Sequence, residues 1–286
     1  METTRRLARP LLVVALACPA CASPPPLPDE AVPVEEAIVG GTASPKSEDA
    51  VVELRLGDEG LCSGTLVAPN LVLTARHCVS ETDEGVVCAP DGHARSGGRI
   101  LADREPADLV VYVGARSRGL VARARGADIV HDGATNLCDH DVAFVVLDRP
   151  IAHVPIAALR LSESTHVGER VTAVGWGLTR RGLLPKSRMH HRDVAILDVG
   201  PSQTAAPSQF VVGEAICSGD SGGPALSSRG AVVGVVSYGG NGRYEPGRPA
   251  LGCVGARARN VYSRVAAFPE LVRRAFAEAG ATPRIE

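Results

Sequence analysis

CSGDSGGP, residues 217–224, sets one serine among an acid, three glycines and a proline, directly after a cysteine. Glycine gives up more backbone freedom on folding than any other residue, so this density is costly in a regular element. The stretch therefore specifies a backbone path rather than a packed face. A serine hydroxyl becomes a nucleophile only with a base beside it, a group that orients the base, and donors for the oxyanion that its attack creates. Ser221 is the candidate nucleophile, and the N–H groups of Gly219 and Ser221 are the candidate donors. LTARHC (73–78) puts His77, the candidate base, at the end of a predicted strand beside a cysteine. CDHDVAFVVLD (138–148) places Asp141, the candidate orienting acid, at the head of another.

Around these stretches, short apolar and β-branched runs recur between Gly, Asn, Asp and Pro. They are AVVELRL (50–56), GTLVAPNLVLTA (64–75), DLVVYVG (108–114), DVAFVVL (141–147), RVTAVGWG (170–177), DVAILDV (193–199), QFVVG (209–213) and AVVGVVSYG (231–239). Such spacing predicts an antiparallel all-β sandwich or barrel. FPELVRRAFAEAG (268–280) differs: Pro269 fits a first turn, Gly280 a stop, and Leu271, Val272, Ala275, Phe276 and Ala279 form one stripe. It predicts an amphipathic helix packed on the body. A chain of 286 residues with 45% hydrophobic content can bury a large core, in one large all-β domain or two small ones. A net charge of -2 gives no basic footprint, so nucleic acid is not an expected partner.

Residues 1–22 read as an export signal. Arg5, Arg6 and Arg9 precede the apolar run LLVVALAC (11–18), and Ala20-Cys21-Ala22 is a small-x-small cleavage pattern. The run is too short to span a bilayer, so no transmembrane segment is expected. A rival reading puts a lipid anchor on Cys18 or Cys21, although Ala15-Leu16-Ala17 fits that pattern poorly. SPPPLPDEAVPVEEA (23–37) is proline-rich and acidic, an extended linker or propeptide. Beyond it remain Cys62, Cys78, Cys88, Cys138, Cys217 and Cys253. An even number in an exported chain reads as three disulfides whose pairing the residues alone leave open.

From Ile38 to the C-terminal helix the chain resembles the trypsin-like (chymotrypsin-family) serine proteases, which makes residues 38–286 the protease domain. IVGG (38–41) resembles the new N-terminus of an activated enzyme, TARHC the histidine motif, DVAF the aspartate motif and GDSGGP the nucleophile motif. NVYSRV (260–265) resembles the segment behind the specificity pocket. The resemblance implies two antiparallel β-barrels with the active site between them, plus a C-terminal α-helix. It implies a secreted serine endopeptidase that cleaves peptide bonds through His77, Asp141, Ser221 and an acyl-enzyme. Activation would be a cut before Ile38, whose freed amine pairs with Asp220.

The same resemblance gives the Ser237 hydroxyl a supporting role toward Asp141, and gives Tyr238 and Gly239 backbone contacts to an extended substrate. Ala215 matches the floor of the primary pocket and carries no charge. Asn260 stands where many relatives have glycine and should narrow or polarise that pocket. Together they imply small or medium uncharged side chains at the cleaved position, compatible with self-cleavage after Ala37. Arg257 and Arg259 leave an acidic side chain open as the alternative. The segment GGNGRYEPGRPALG (239–252) is longer than its family counterpart and would border the cleft.

The resemblance assigns Cys62 to Cys78 and Cys217 to Cys253, and with those taken Cys88 falls to Cys138. Expected partners are protein or peptide substrates and protein protease inhibitors. No cofactor or metal is expected. Glu81, Asp83, Glu84 and Asp91 match no calcium-loop spacing and read as a solvated acidic loop. His190 and His191 read as a solvated strand end, and His131, His140, His153 and His166 carry no role. The alternative from another class is a non-catalytic binding protein on the same fold, and Ser221→Ala separates the two.

Overall fold

The β-branched runs pair as strands. The computed structural model describes residues 38–57, 60–83, 85–162, 164–243 and 248–286. The export signal, Cys18, Cys21 and the 23–37 segment lie outside the described residues. No helix among the described residues is long and apolar enough to cross a membrane.

Six antiparallel strands form the first barrel: β1 (Val51–Leu56), β2 (Leu61–Ala68), β3 (Leu71–Thr74), β4 (Leu109–Val113), β5 (Val121–Val130) and β6 (Ala143–Leu147). Their order around the closed sheet is β5-β6-β3-β2-β1-β4. Six more form the second: β7 (Arg170–Gly175), β8 (Met189–Val199), β9 (Gln209–Val212), β10 (Pro224–Leu226), β11 (Val232–Gly240) and β12 (Arg259–Arg264). The order is β8-β7-β10-β11-β12-β9, closed by pairing of β8 with β9, with Thr42–Ala43 added at β8. Full closure leaves no long unpaired strand edges in either barrel.

Each barrel fills with its own apolar side chains. Leu54, Leu66, Leu71, Leu73, Val111 and Phe144 pack in the first, and Ile196, Phe210, Val212, Val236 and Tyr262 in the second, where Phe210 stacks on Tyr262 at 5.0 Å. The predicted C-terminal helix is α2 (Pro269–Glu278). It buries Leu271, Val272, Ala275 and Phe276, and the Phe276 ring meets Phe144 of β6 edge-on at 6.4 Å. Gly280 ends it in the left-handed region, φ 60, with Gly280 N–H bonded to Ala277 O and Ala281 N–H to Phe276 O. This six-to-one, five-to-two pattern needs a residue that tolerates positive φ.

Three disulfides join Cys62 to Cys78, Cys88 to Cys138 and Cys217 to Cys253, the pairing that the family resemblance implies. The expectation for His190 is overturned. It is 6% exposed, and its Nδ1 lies 2.8 Å from Glu48 Oε1, because position 190 of β8 faces inward beneath the 42–49 segment. Arg188, fully buried just before β8, reaches Asp49 Oδ1 at 2.7 Å and Ser44 Oγ at 2.7 Å and ties down the same segment.

Candidate active site

The three candidate catalytic residues come from three separated pieces of chain. His77 lies in the one-turn helix α1 (Arg76–Val79) that directly follows β3. Cys78, the next residue, is bonded to Cys62 of β2, so the turn is clamped to the barrel wall. Asp141 stands just before β6 and is 2% exposed. Its Oδ1 accepts the His77 backbone N–H at 3.0 Å, and its Oδ2 lies 2.8 Å from His77 Nδ1. A carboxylate can only accept, so the proton sits on Nδ1 and Nε2 keeps its lone pair. Ser237 of β11 donates its hydroxyl to the same Oδ2 at 2.6 Å, carrying the link from the first barrel into the second.

Electrostatics follow this geometry. Burial works against the protonated imidazole of His77, but the Asp141 carboxylate overcomes it and holds the His77 pKa above the ordinary 6.5. Burial alone would push Asp141 up, yet the His77 charge and the hydrogen bonds from His77 and Ser237 hold it below the usual carboxylate value.

The Ser221 loop is tied by its backbone to a strand of each barrel. The Ser221 carbonyl accepts the Ser63 N–H at 2.8 Å from β2, and Gly222 N–H donates to Val236 O at 2.9 Å, one residue before Ser237. The glycines of the opening stretch have distinct reasons. A Cβ on Gly222 would sit 2.1 Å from Thr74 Oγ1 and 2.4 Å from Ser63 O, so only glycine lets this loop touch the strand that leads to His77. Gly219 adopts φ 96, a region that favours glycine. Asp220, Gly222 and Gly223 give their N–H groups to backbone carbonyls, whereas those of Gly219 and Ser221 meet no acceptor among the described residues.

Asp220 turns inward and is fully buried. It accepts Gly177 N–H at 2.8 Å and Cys217 N–H at 2.9 Å, and among the described residues no cation pairs with it. Burial pushes its carboxyl up to about 7, against those two N–H groups. Gly177 has to be glycine, since a Cβ there would lie 2.5 Å from the Asp220 carboxyl carbon. Ile38 and Val39 are also buried, Ile38 in the core of the second barrel with Ala215 and Val39 against Cys217.

A pocket of about 250 Å³ opens beside Ser221, lined by Ile216, Ser218, Ser237, Tyr238, Gly239 and Asn260, with the Cys217–Cys253 disulfide in its wall. None of its lining side chains carries a charge at neutral pH. Ala215 is fully buried in the second core and does not line this pocket, although its neighbour Ile216 does. Arg257 and Arg259 also stay out of the lining, and Arg259 Nη1 is spent on the carbonyls of Ala256 and Ala258. Asn241 pins the long 239–252 segment by donating to Leu251 O at 2.8 Å and Val254 O at 2.7 Å, and residues 244–247 lie outside the described set. Larger hollows, about 630 Å³ beside Glu48 and about 590 Å³ beside Asp132, are lined by none of His77, Asp141 and Ser221.

Among the described residues the loop acids form no cluster of metal ligands. Asp83 accepts Arg99 N–H at 2.6 Å and Asp91 accepts His93 N–H at 3.0 Å, while Glu84 lies outside the described residues. His77 has Cys62 and Cys78 close by, but both sulfurs are joined in a disulfide and offer no thiolate to a metal. His131 and His140 pair with Asp103 and Asp132 outside the pocket.

Comparison with known proteins agrees with this arrangement. The trypsin family model matches residues 38–254. Granzyme M of Rattus norvegicus is 29% identical over 223 residues, which cover 71% of this chain and 79% of the relative. Trypsin alpha-4 of Lucilia cuprina is 29% identical over 276 residues, covering 90% and 94%. A trypsin of Saccharopolyspora erythraea is 26% identical over 255 residues, covering 82% and 96%. Two closed six-stranded barrels and a family match over most of the chain lead to one conclusion: it belongs to the trypsin family and is a serine endopeptidase.

Proposed function

We propose that the chain is an exported endopeptidase that cleaves peptide bonds through Ser221, His77 and Asp141, and that a cut before Ile38 activates it. Ser221 Oγ attacks the scissile carbonyl carbon while His77 Nε2 takes its proton. The oxyanion that forms is met by the Gly219 and Ser221 N–H groups. Collapse breaks the C–N bond, and the leaving amine takes the proton from His77, leaving Ser221 acylated. Water then repeats the sequence and releases the acid. In this reading residues 1–22 direct export and residues 23–37 are removed on activation. The primary pocket takes small or medium uncharged side chains because no charged group lines it.

What carries the reading is one chain of contacts: His77 to Asp141, Asp141 to Ser237, and the Ser221 loop to the residue before Ser237. It implies a pH profile. His77 must be neutral to act as base, and Asp141 raises its pKa above 6.5. Activity should therefore fall as pH drops through a value above 6.5, measured as kcat/KM of the free enzyme. An acid limb centred well below 6.5 would count against His77 as the base.

A further inference from the structure

The primary pocket contains an acceptor that the chain itself does not satisfy. Asn260 of β12 lies opposite Gly239 of β11 on one side and Val212 of β9 on the other. Its Nδ2 donates to Gly213 O at 2.6 Å. Only the NH₂ half of an amide can face a carbonyl, so Oδ1 points the opposite way, toward Gly239. It fills the space a side chain there would need: a Cβ on Gly239 would sit 2.1 Å from Oδ1. Among the described residues no donor reaches Oδ1, although Asn260 is only 1% exposed and lines the pocket. Oδ1 is not among the fully buried atoms that lack a partner, so it still meets pocket water, and a substrate side chain that displaces this water leaves Oδ1 unmatched unless it brings a donor.

We propose that Asn260 makes the enzyme select a short side chain bearing a hydrogen-bond donor at the cleaved position, threonine or serine, whose hydroxyl meets Oδ1. The inference rests on the endopeptidase reading of Ser221 and narrows its substrate class. Oδ1 beside Gly239 takes up room that a long or aromatic side chain would require. The lining offers no charge to match lysine, arginine, aspartate or glutamate. Valine has the shape of threonine but brings a methyl group to an acceptor, so it leaves Oδ1 dehydrated and unpaired. Alanine fits without using the acceptor, which makes cleavage after Ala37 slower than cleavage after threonine.

The test uses three peptides that differ only in threonine, valine or leucine at the cleaved position, with the activated enzyme and its Asn260→Gly variant. Fluorophosphonate labelling of Ser221 counts competent sites in each preparation. For wild type, kcat/KM should favour threonine over valine about tenfold, the size of one added hydrogen bond. In Asn260→Gly that ratio should collapse toward one while leucine gains. If the variant fails to fold, the wild-type ratio alone decides. Valine equal to or better than threonine in labelled wild type would overturn this inference and leave the endopeptidase reading standing. Protein that neither labels nor cleaves any peptide would overturn both.

Discussion

Asp141→Asn is expected to lower kcat by about 10⁴ with KM little changed, a magnitude carried over from triads of this type. The direction follows from the contacts here. Oδ1 accepts the His77 backbone N–H, and Oδ2 accepts from both His77 Nδ1 and Ser237 Oγ. An asparagine that keeps its oxygen toward the His77 backbone turns its NH₂ on Nδ1. Nδ1 must then accept, its proton moves to Nε2, and the ring can no longer take a proton from Ser221. Steady-state kinetics on variant and wild type, with folding checked by thermal melts, reads the effect. A kcat within tenfold of wild type would mean that Asp141 does not set the imidazole tautomer.

A chain that keeps the residues before Ile38 is expected to be at least about 10²-fold less active than one that begins there, the scale of an uncompensated buried charge. Asp220 supplies the reason. It is buried with two backbone donors and, among the described residues, no cation. Its carboxyl is raised from 3.8 to about 7, so the folded state binds this proton more tightly than the unfolded chain does. The uncut form is therefore favoured at low pH and loses stability as pH rises from about 4 to about 7, by roughly 4 kcal/mol at most. A free amine at Ile38 that paired with Asp220, as proposed, would reverse the sign: it would draw the Asp220 pKa down, and the contribution would then hold at neutral pH and be lost on acidification. Melts of uncut and cut Ser221→Ala protein between pH 4.5 and 7.5 should diverge in this way, whereas parallel curves would remove Asp220 from the activation step.

The barrels were legible because their strands are short β-branched runs between turn residues. Val51–Leu56, Leu109–Val113, Ala143–Leu147, Arg170–Gly175 and Gln209–Val212 each fall within an expected run. Val121–Val130 was not, since VARARGADIV exposes Arg123 and Arg125 to solvent and buries only Ala124, Gly126 and Val130 well. Its place in the barrel comes from backbone pairing with β4 and β6, which composition does not encode. Pro224–Leu226 was hidden in the same way, because GGPAL reads as loop.

In the site, His77, Asp141 and Ser237 could be named from short motifs, and their side chains do meet through hydrogen bonds. His190 could not, since its burial depends on a partner, Glu48, that is 142 residues away along the chain. The only local sign was its position next to the apolar Met189 at the start of a strand. Asn260 could be named as a pocket residue, and it does line the pocket, but the direction of its oxygen depends on Gly213 O across the sheet.

Labelling of Ser221 by a fluorophosphonate probe tests the central claim most directly, with intact mass reading the N-terminus. Wild type that begins at Ile38 should gain one phosphonyl group, while Ser221→Ala with the same terminus should gain none. Wild type with a confirmed Ile38 terminus that stays unlabelled would contradict the account, because the His77–Asp141–Ser237 hydrogen bonds and the docking of the Ser221 loop beside Ser237 would then not make a working nucleophile.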